Sequence, residues 1–172
     1  LGMQEVAFYD LGEKILNLLR LPVATFSQVL FPRMAANFNK KLLFKIGKLF
    51  FVLTVFLTLV VLLFSNEIII IFAGQNMLGA VPSMRILIVA IIPLVLSNIL
   101  GVQILLSQGY NKEFFRVVFS SMIVYLIFMT VCFVVEKINL YTISFSFVLV
   151  ELYMLFHFIV IIMKYKILEN KN

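Results

Sequence analysis

The sequence predicts an all-α membrane protein, a polytopic bundle of about five transmembrane helices forming a single domain over residues 1–172. Three observations carry this expectation. Lys48 and Glu67 bracket 18 uncharged residues, Arg85 and Lys112 bracket 26, and Arg116 and Glu136 bracket 19. A helix needs about 20 mostly apolar residues to cross a bilayer. The composition is 63% hydrophobic and 13% charged, against about 25% charged in soluble domains. The basic residues, finally, gather at the ends of the apolar runs and favour alternate connections.

The first predicted span covers about 11–36. It is the least hydrophobic, with Glu13, Lys14, Asn17, Arg20, Ser27 and Gln28 along it. Pro22 is expected to kink it and Pro32 to end or kink it, because proline lacks the amide that a helix interior requires. The second span covers about 46–65 and is nearly pure Leu, Val and Phe. A loop over 66–82 follows, marked by Gly74, Gln75, Asn76 and Gly79, with 68–72 expected as a helical extension or an interfacial dip. The third span covers about 83–107 and carries Pro93, Ser97, Asn98, Gly101 and Gln103. The fourth covers about 113–135. The fifth covers about 141–163 and contains Glu151 and His157.

Orientation follows from lysine and arginine. The connection 33–48 holds Arg33, Lys40, Lys41, Lys45 and Lys48 with no acid. The next connection on that side has Lys112 and Arg116, and the tail has Lys164, Lys166 and Lys171. The opposite side has only Arg85 and Lys137. The positive-inside rule places the richer side, and with it the C-terminus, in the cytoplasm. An outside start and an inside end need an odd number of spans, and five satisfies this. The net charge of +6 is thereby spent on topology, and nucleic acid is not expected as a partner. The chain opens at Leu1 without the charged, apolar and small-residue regions of a signal peptide. It reads as an internal start, so the expectation is the C-terminal part of a longer protein.

Side chains three, four and seven apart share a helix face. Glu13, Asn17, Arg20, Ala24 and Ser27 form one such stripe, with Gln28 at its edge. Charge in lipid is costly, so the stripe is expected to face a cavity or a protein partner. There Arg20 would contact an anionic group, and Glu13 would pair with it or bind a cation. A helix-end position, with Glu13 and Lys14 reaching the interface, is the plainer alternative. Glu151 is the deepest acid, with 13 uncharged residues before it and 12 after it. It is a candidate for ion coupling, or else a structural hydrogen-bonding group. Pro93 with Ser97, Asn98 and Gly101 would make a bend, static or moving, in which Asn98 could line a cavity. Arg85 could contact a headgroup, a substrate phosphate or Glu67. The single histidine and the single cysteine, Cys132, offer no metal set, and no nucleophile–base motif or phosphate loop is present. No cofactor and no catalytic residue is expected, so the chain does not read as an enzyme.

Two stretches resemble bacterial polysaccharide flippases of the O-antigen type, within the multidrug/oligosaccharidyl-lipid/polysaccharide exporter superfamily. In Tyr9–Ala35 the resemblance lies in Tyr9, the Glu13–Lys14 pair and the closing Phe31–Pro32–Arg33. In Arg85–Phe114 it lies in the apolar run followed by Ser97–Asn98, Gly101, Gln103, Leu105–Leu106, Gly109 and Lys112. Glu151 falls where that family commonly has an acid, whereas residues 138–152 lack the glycine and alanine that often open its last helix.

The resemblance implies most of one six-helix lobe of a two-lobe transporter, with the N-terminal lobe missing. It implies a bacterial cytoplasmic-membrane protein that moves an undecaprenyl-diphosphate-linked oligosaccharide by alternating access, with membrane lipids around it. By position, Arg20 would be the first contact for the diphosphate or an acidic sugar. Another exporter of the same superfamily, for drugs or a different lipid-linked precursor, is the neighbouring reading. A membrane polymerase or acyl transferase would need a large outer loop with catalytic residues, and these loops are short. A noncatalytic membrane subunit of a cell-envelope assembly complex is the third.

Overall fold

The computed structural model describes residues 2–167. Lys171, one of the basic tail residues used for orientation, lies outside them. The described residues are helical throughout, with no strand among them. Five helical spans are long and apolar enough to cross a membrane.

The first helix, α1, runs Met3–Ala36, starting eight residues before the expected boundary at 11. Its first turn explains the extension. The Glu5 carboxylate accepts the Gly2 amide at 3.0 Å, and an acid there complements the positive end of the helix. Neither Pro22 nor Pro32 ends the helix. Both flanks are clamped in the core, through Leu16, Val23, Leu30 and Met34, and Phe26 stacks on Phe50 with ring centroids 3.9 Å apart. Anchored on both sides, the chain tolerates the lost backbone bonds. At about 1.5 Å per residue, 34 residues extend about 50 Å, well beyond the ~30 Å hydrocarbon layer.

The second helix, α2, runs Lys40–Leu63. Asn39 caps it by accepting the Leu42 amide at 2.9 Å, so it starts six residues before the expected 46. The connection 33–48 is therefore mostly helix, and Lys40, Lys41, Lys45 and Lys48 stand on the first turns of α2. The expected loop over 66–82 is likewise mostly helical. The short α3, Ser65–Ala73, is the anticipated extension, and a 3-10 turn, Gln75–Ala80, follows it.

The third span is built in pieces. Helix α4 runs Val81–Val89 and α5 runs Ile91–Ser97. Pro93 cannot supply an amide to the turn before it, and the helix breaks at Ala90, whose amide closes a tighter bond to Leu87 O at 3.1 Å. The segment Asn98–Leu106 then winds as a π-helix. This broken span is the centre of the bundle. Half of its most apolar stretch is buried, against 11% for α6. Irregular backbone is tolerated at membrane depth only where protein covers it. The last two helices are α6, Asn111–Val134, and α7, Leu140–Lys164. Helix α7 packs on α6 and on the broken span, whereas α6 presents Phe115, Phe119, Ile127 and Phe133 outward.

Two glycines set helix spacing. A Cβ on Gly12 would sit 3.2 Å from Met84 Cα, so α1 and α4 touch backbone to backbone there. A Cβ on Gly101 would sit 2.7 Å from the Phe158 ring, which stacks on Phe114 at 5.6 Å. Gly12→Leu should therefore lower stability by about 1–3 kcal/mol through overpacking, and Gly12→Ala by less. Thermal unfolding in detergent checks the order, and equal midpoints for Gly12→Leu and the parent chain would contradict the contact.

Candidate functional site

The polar stripe of α1 meets α7 halfway along both helices. Arg20 is 17 residues from one end of α1 and 16 from the other, and Glu151 is 11 and 13 from the ends of α7. One guanidinium nitrogen of Arg20 lies 3.8 Å from a Glu151 carboxylate oxygen. Arg20 also donates to Asn17 Oδ1 at 3.4 Å, one turn away, and its guanidinium lies 4.8 Å from the Phe147 ring centre. Arg20 Nε is buried without a hydrogen-bond partner. The Glu151 side chain is 8% exposed and that of Arg20 29%. The carboxylate is therefore enclosed while the guanidinium reaches the open side of α1. An ion pair at 3.8 Å is long for a bidentate contact, and a guanidinium has five donors in a fixed fork. Arg20 thus has capacity for a further anionic oxygen.

A second polar group lies two turns along α1. Ser27 Oγ donates to Asn98 Oδ1, and Gln103 Nε2 donates to Ser27 Oγ at 3.2 Å and to Ser27 O at 3.4 Å. Gln103 is fully buried, and its Oε1 has no partner. The π-helix explains why one serine reaches both residues. In an α-helix, positions five apart diverge by about 140°. In a π-helix, i→i+5 bonding stacks them, and Asn98 and Gln103 turn to the same neighbour.

The sequence candidates divide accordingly. Arg20, Asn17 and Glu151 come together, so the residue expected to bind substrate and the one expected to couple an ion form one pair. Ser27 joins Asn98. Glu13 and Gln28 are exposed on α1 and take no part in either cluster, so Glu151 holds the place beside Arg20 for which Glu13 was considered. Lys14, expected at the interface, pairs with Asp10 at 2.7 Å. Arg85 is tied elsewhere, its Nε donating to Ser65 Oγ at 2.8 Å at the start of α3. His157 lies 3.5 Å from Ser120 Oγ and edge-on to Tyr153, a packed position. Gln103 was not singled out as a site residue, although a glutamine inside an apolar span was its signal. Phe147 gave no signal among 19 phenylalanines.

An open groove of about 640 Å³ runs beside the first half of α1, lined by Asp10, Lys14, Asn17, Leu18 and, from the neighbouring turns, Phe72 and Met77. Among the described residues, no three His, Cys, Asp or Glu side chains gather closely enough to hold a metal ion. Comparison of the chain with protein-family models, with curated proteins and with solved structures finds no match.

The energetics of the pair are testable. Glu151→Gln leaves a charged guanidinium without its counter-charge. Losing one partner of a fully buried pair costs 3–5 kcal/mol, and the partial exposure of Arg20 reduces this to about 2 kcal/mol. The double variant Arg20→Met/Glu151→Leu removes both charges and should be close to the parent in stability. Unfolding midpoints in detergent measure this. A double variant less stable than Glu151→Gln would show that the two residues do not act as a pair.

Proposed function

We propose that this chain is a membrane transport component, a flippase body that moves an undecaprenyl-diphosphate-linked oligosaccharide across a bacterial cytoplasmic membrane by alternating access. In this reading the five spans make most of one lobe, the C-terminus is cytoplasmic, and a second set of helices completes the cavity. The observation that carries it is Arg20, which sits at mid-span on α1, partly exposed and only loosely paired with Glu151. Intramembrane charge marks substrate and ion pathways, because lipid does not stabilise it. Glu13, Asn17 and Gln28 continue the same uncovered stripe, and a polar stripe of that length needs a water-filled cavity or a protein partner.

The pair also supplies a means of coupling. A diphosphate oxygen and the Glu151 carboxylate compete for one guanidinium. When the substrate anion takes Arg20, Glu151 loses its counter-charge and requires a proton or a cation in its place. Release of substrate restores the pair. Only a bound state of defined charge then crosses between the two accessible conformations.

Binding tests the reading without requiring the second lobe. The purified chain in micelles should bind a short-chain polyprenyl diphosphate-linked sugar more tightly than the matching polyprenyl alcohol. Arg20→Lys, which cannot grip phosphate bidentately, should weaken binding about tenfold, the equivalent of one lost charge-assisted hydrogen bond. Equal affinity of Arg20→Lys, Arg20→Ala and the parent chain would remove Arg20 from the substrate site. Equal affinity for the diphosphate and the alcohol would remove the function.

A further inference from the structure

A second groove shares no lining residue with the Arg20 pair, although Leu155 in its wall stands one turn beyond Glu151 on α7. It has a volume of about 340 Å³, and its walls are Leu43, Gly47 and Phe51 of α2, Leu96 and Leu100 of the broken span, and Leu155 of α7, among others. Every lining residue is apolar except Lys48. All three walls belong to the same half of the bundle. Residues 43–51 lie in the first half of α2, 96–100 in the second half of the third span, and 155–159 in the second half of α7. The groove therefore opens within one leaflet, and along α2 it extends about 12 Å, from eight residues at about 1.5 Å each. Half of a ~30 Å hydrocarbon layer is about 15 Å, so the groove has the length of one lipid chain in one leaflet.

The mouth of the groove carries positive charge from a stretch of chain that has no acid of its own. Lys41, Lys45 and Lys48 are exposed, and no Asp or Glu occurs between Glu13 and Glu67. The first turn of α2 has no acidic residue. Lys41 stands in the first turn of α2, where a cation opposes the helix macrodipole, and with Lys45 and Lys48 one and two turns further on it makes a basic surface in need of an anionic counter-charge. Phosphate of a membrane lipid meets that need at the depth where the lysines stand.

We infer that this groove is a binding site for an anionic phospholipid, whose acyl chain lies between α2, the broken span and α7 and whose phosphate sits on Lys45 and Lys48. The inference needs only that the chain is embedded in a bilayer, and it stands apart from the transported cargo. Gly47 lies on the floor of the groove. It is buried, with its Cβ position 3.4 Å from Ile99 Cδ1, so the floor of the groove is backbone and Ile99 rather than a filling side chain.

The chain has no tryptophan, which permits a single-reporter test in vesicles. Phe51→Trp places the reporter in the groove wall, and Phe133→Trp places a control on the exposed far end of α6. Each protein is reconstituted in phosphatidylcholine vesicles in which a fixed fraction of lipid is brominated on its acyl chains, as phosphatidylglycerol or as phosphatidylcholine. Bromine quenches tryptophan on contact. At Phe51→Trp the brominated phosphatidylglycerol should associate about fivefold more strongly than the brominated phosphatidylcholine, as expected from about one lysine at an anionic surface. The control should be quenched equally by both. Adding Lys45→Ala/Lys48→Ala should bring the groove ratio close to one. Equal quenching of Phe51→Trp by the two lipids would overturn the inference. So would quenching by neither, which would place a protein segment or a second copy in the groove. The comparison of the two lipids on Phe51→Trp alone stands even if the lysine variant does not fold.

Discussion

Hydrocarbon offers no hydrogen bonds, and each unsatisfied backbone group within it costs several kcal/mol. The arrangement of this chain follows from that constraint. Regular helices lie at the periphery, where most residues of α6 are exposed. The span whose backbone is most irregular, broken before Pro93 and wound as a π-helix after Ser97, is the one the others surround. Small polar side chains within the spans turn back on their own helices. Ser144 donates to Leu140 O at 2.9 Å, Ser146 to Ile143 O at 2.7 Å, and Ser121 to Val118 O at 2.7 Å. Each satisfies a hydroxyl locally, so these serines can be buried without a partner helix. Larger polar groups reach across helices instead, Asn98 and Gln103 to Ser27 and Arg20 to Glu151.

The same constraint explains the pairing of Arg20 with Glu151. A lone charge at mid-membrane would be more costly than either residue's packing could offset, and a carboxylate across from a guanidinium brings the pair near neutrality. The pair is unequal, however. Glu151 is enclosed by its own bundle and Arg20 is not. Any anion arriving from the open side of α1 therefore meets the cation first. A chain selected only for stability would lose little by replacing both residues with apolar ones.

Much of the fold was legible in the sequence because long charge-free runs have one physical outcome in a membrane. All five spans lie where the runs lie. The boundaries moved outward where local capping extended a helix, through Glu5 on Gly2 and Asn39 on Leu42, interactions that hydropathy does not weigh. The stripe on α1 was legible from helical spacing alone. Its partners were not. Arg20 and Glu151 are 131 positions apart, and nothing in either helix indicates that α1 lies beside α7. The pairing of Asn98 with Gln103 was hidden for a different reason. The 100° step used to place residues on faces fails inside a π-helix, and there it would have sent the two side chains in different directions.

The uncovered side of α1 also constrains what can surround the chain. Glu13, Asn17 and Gln28 are exposed beside Arg20, over 15 residues that extend about 22 Å along the helix. That exceeds any interfacial layer that one end of α1 could occupy, since the hydrocarbon is ~30 Å thick. Anchoring at a single surface can hydrate Glu13 or Gln28 but not both, and it reaches Arg20 from neither side. Lipid along the whole stripe is thus the least favourable environment available to it. Water in a cavity, or a polar helix face from another body, is what the stripe is suited to meet. The opposite demand holds at the α2–α7 groove, whose apolar walls and basic mouth suit lipid and repel a polar partner. The bundle therefore carries two chemically different features, a polar stripe along α1 and an apolar groove with a basic mouth beside α2.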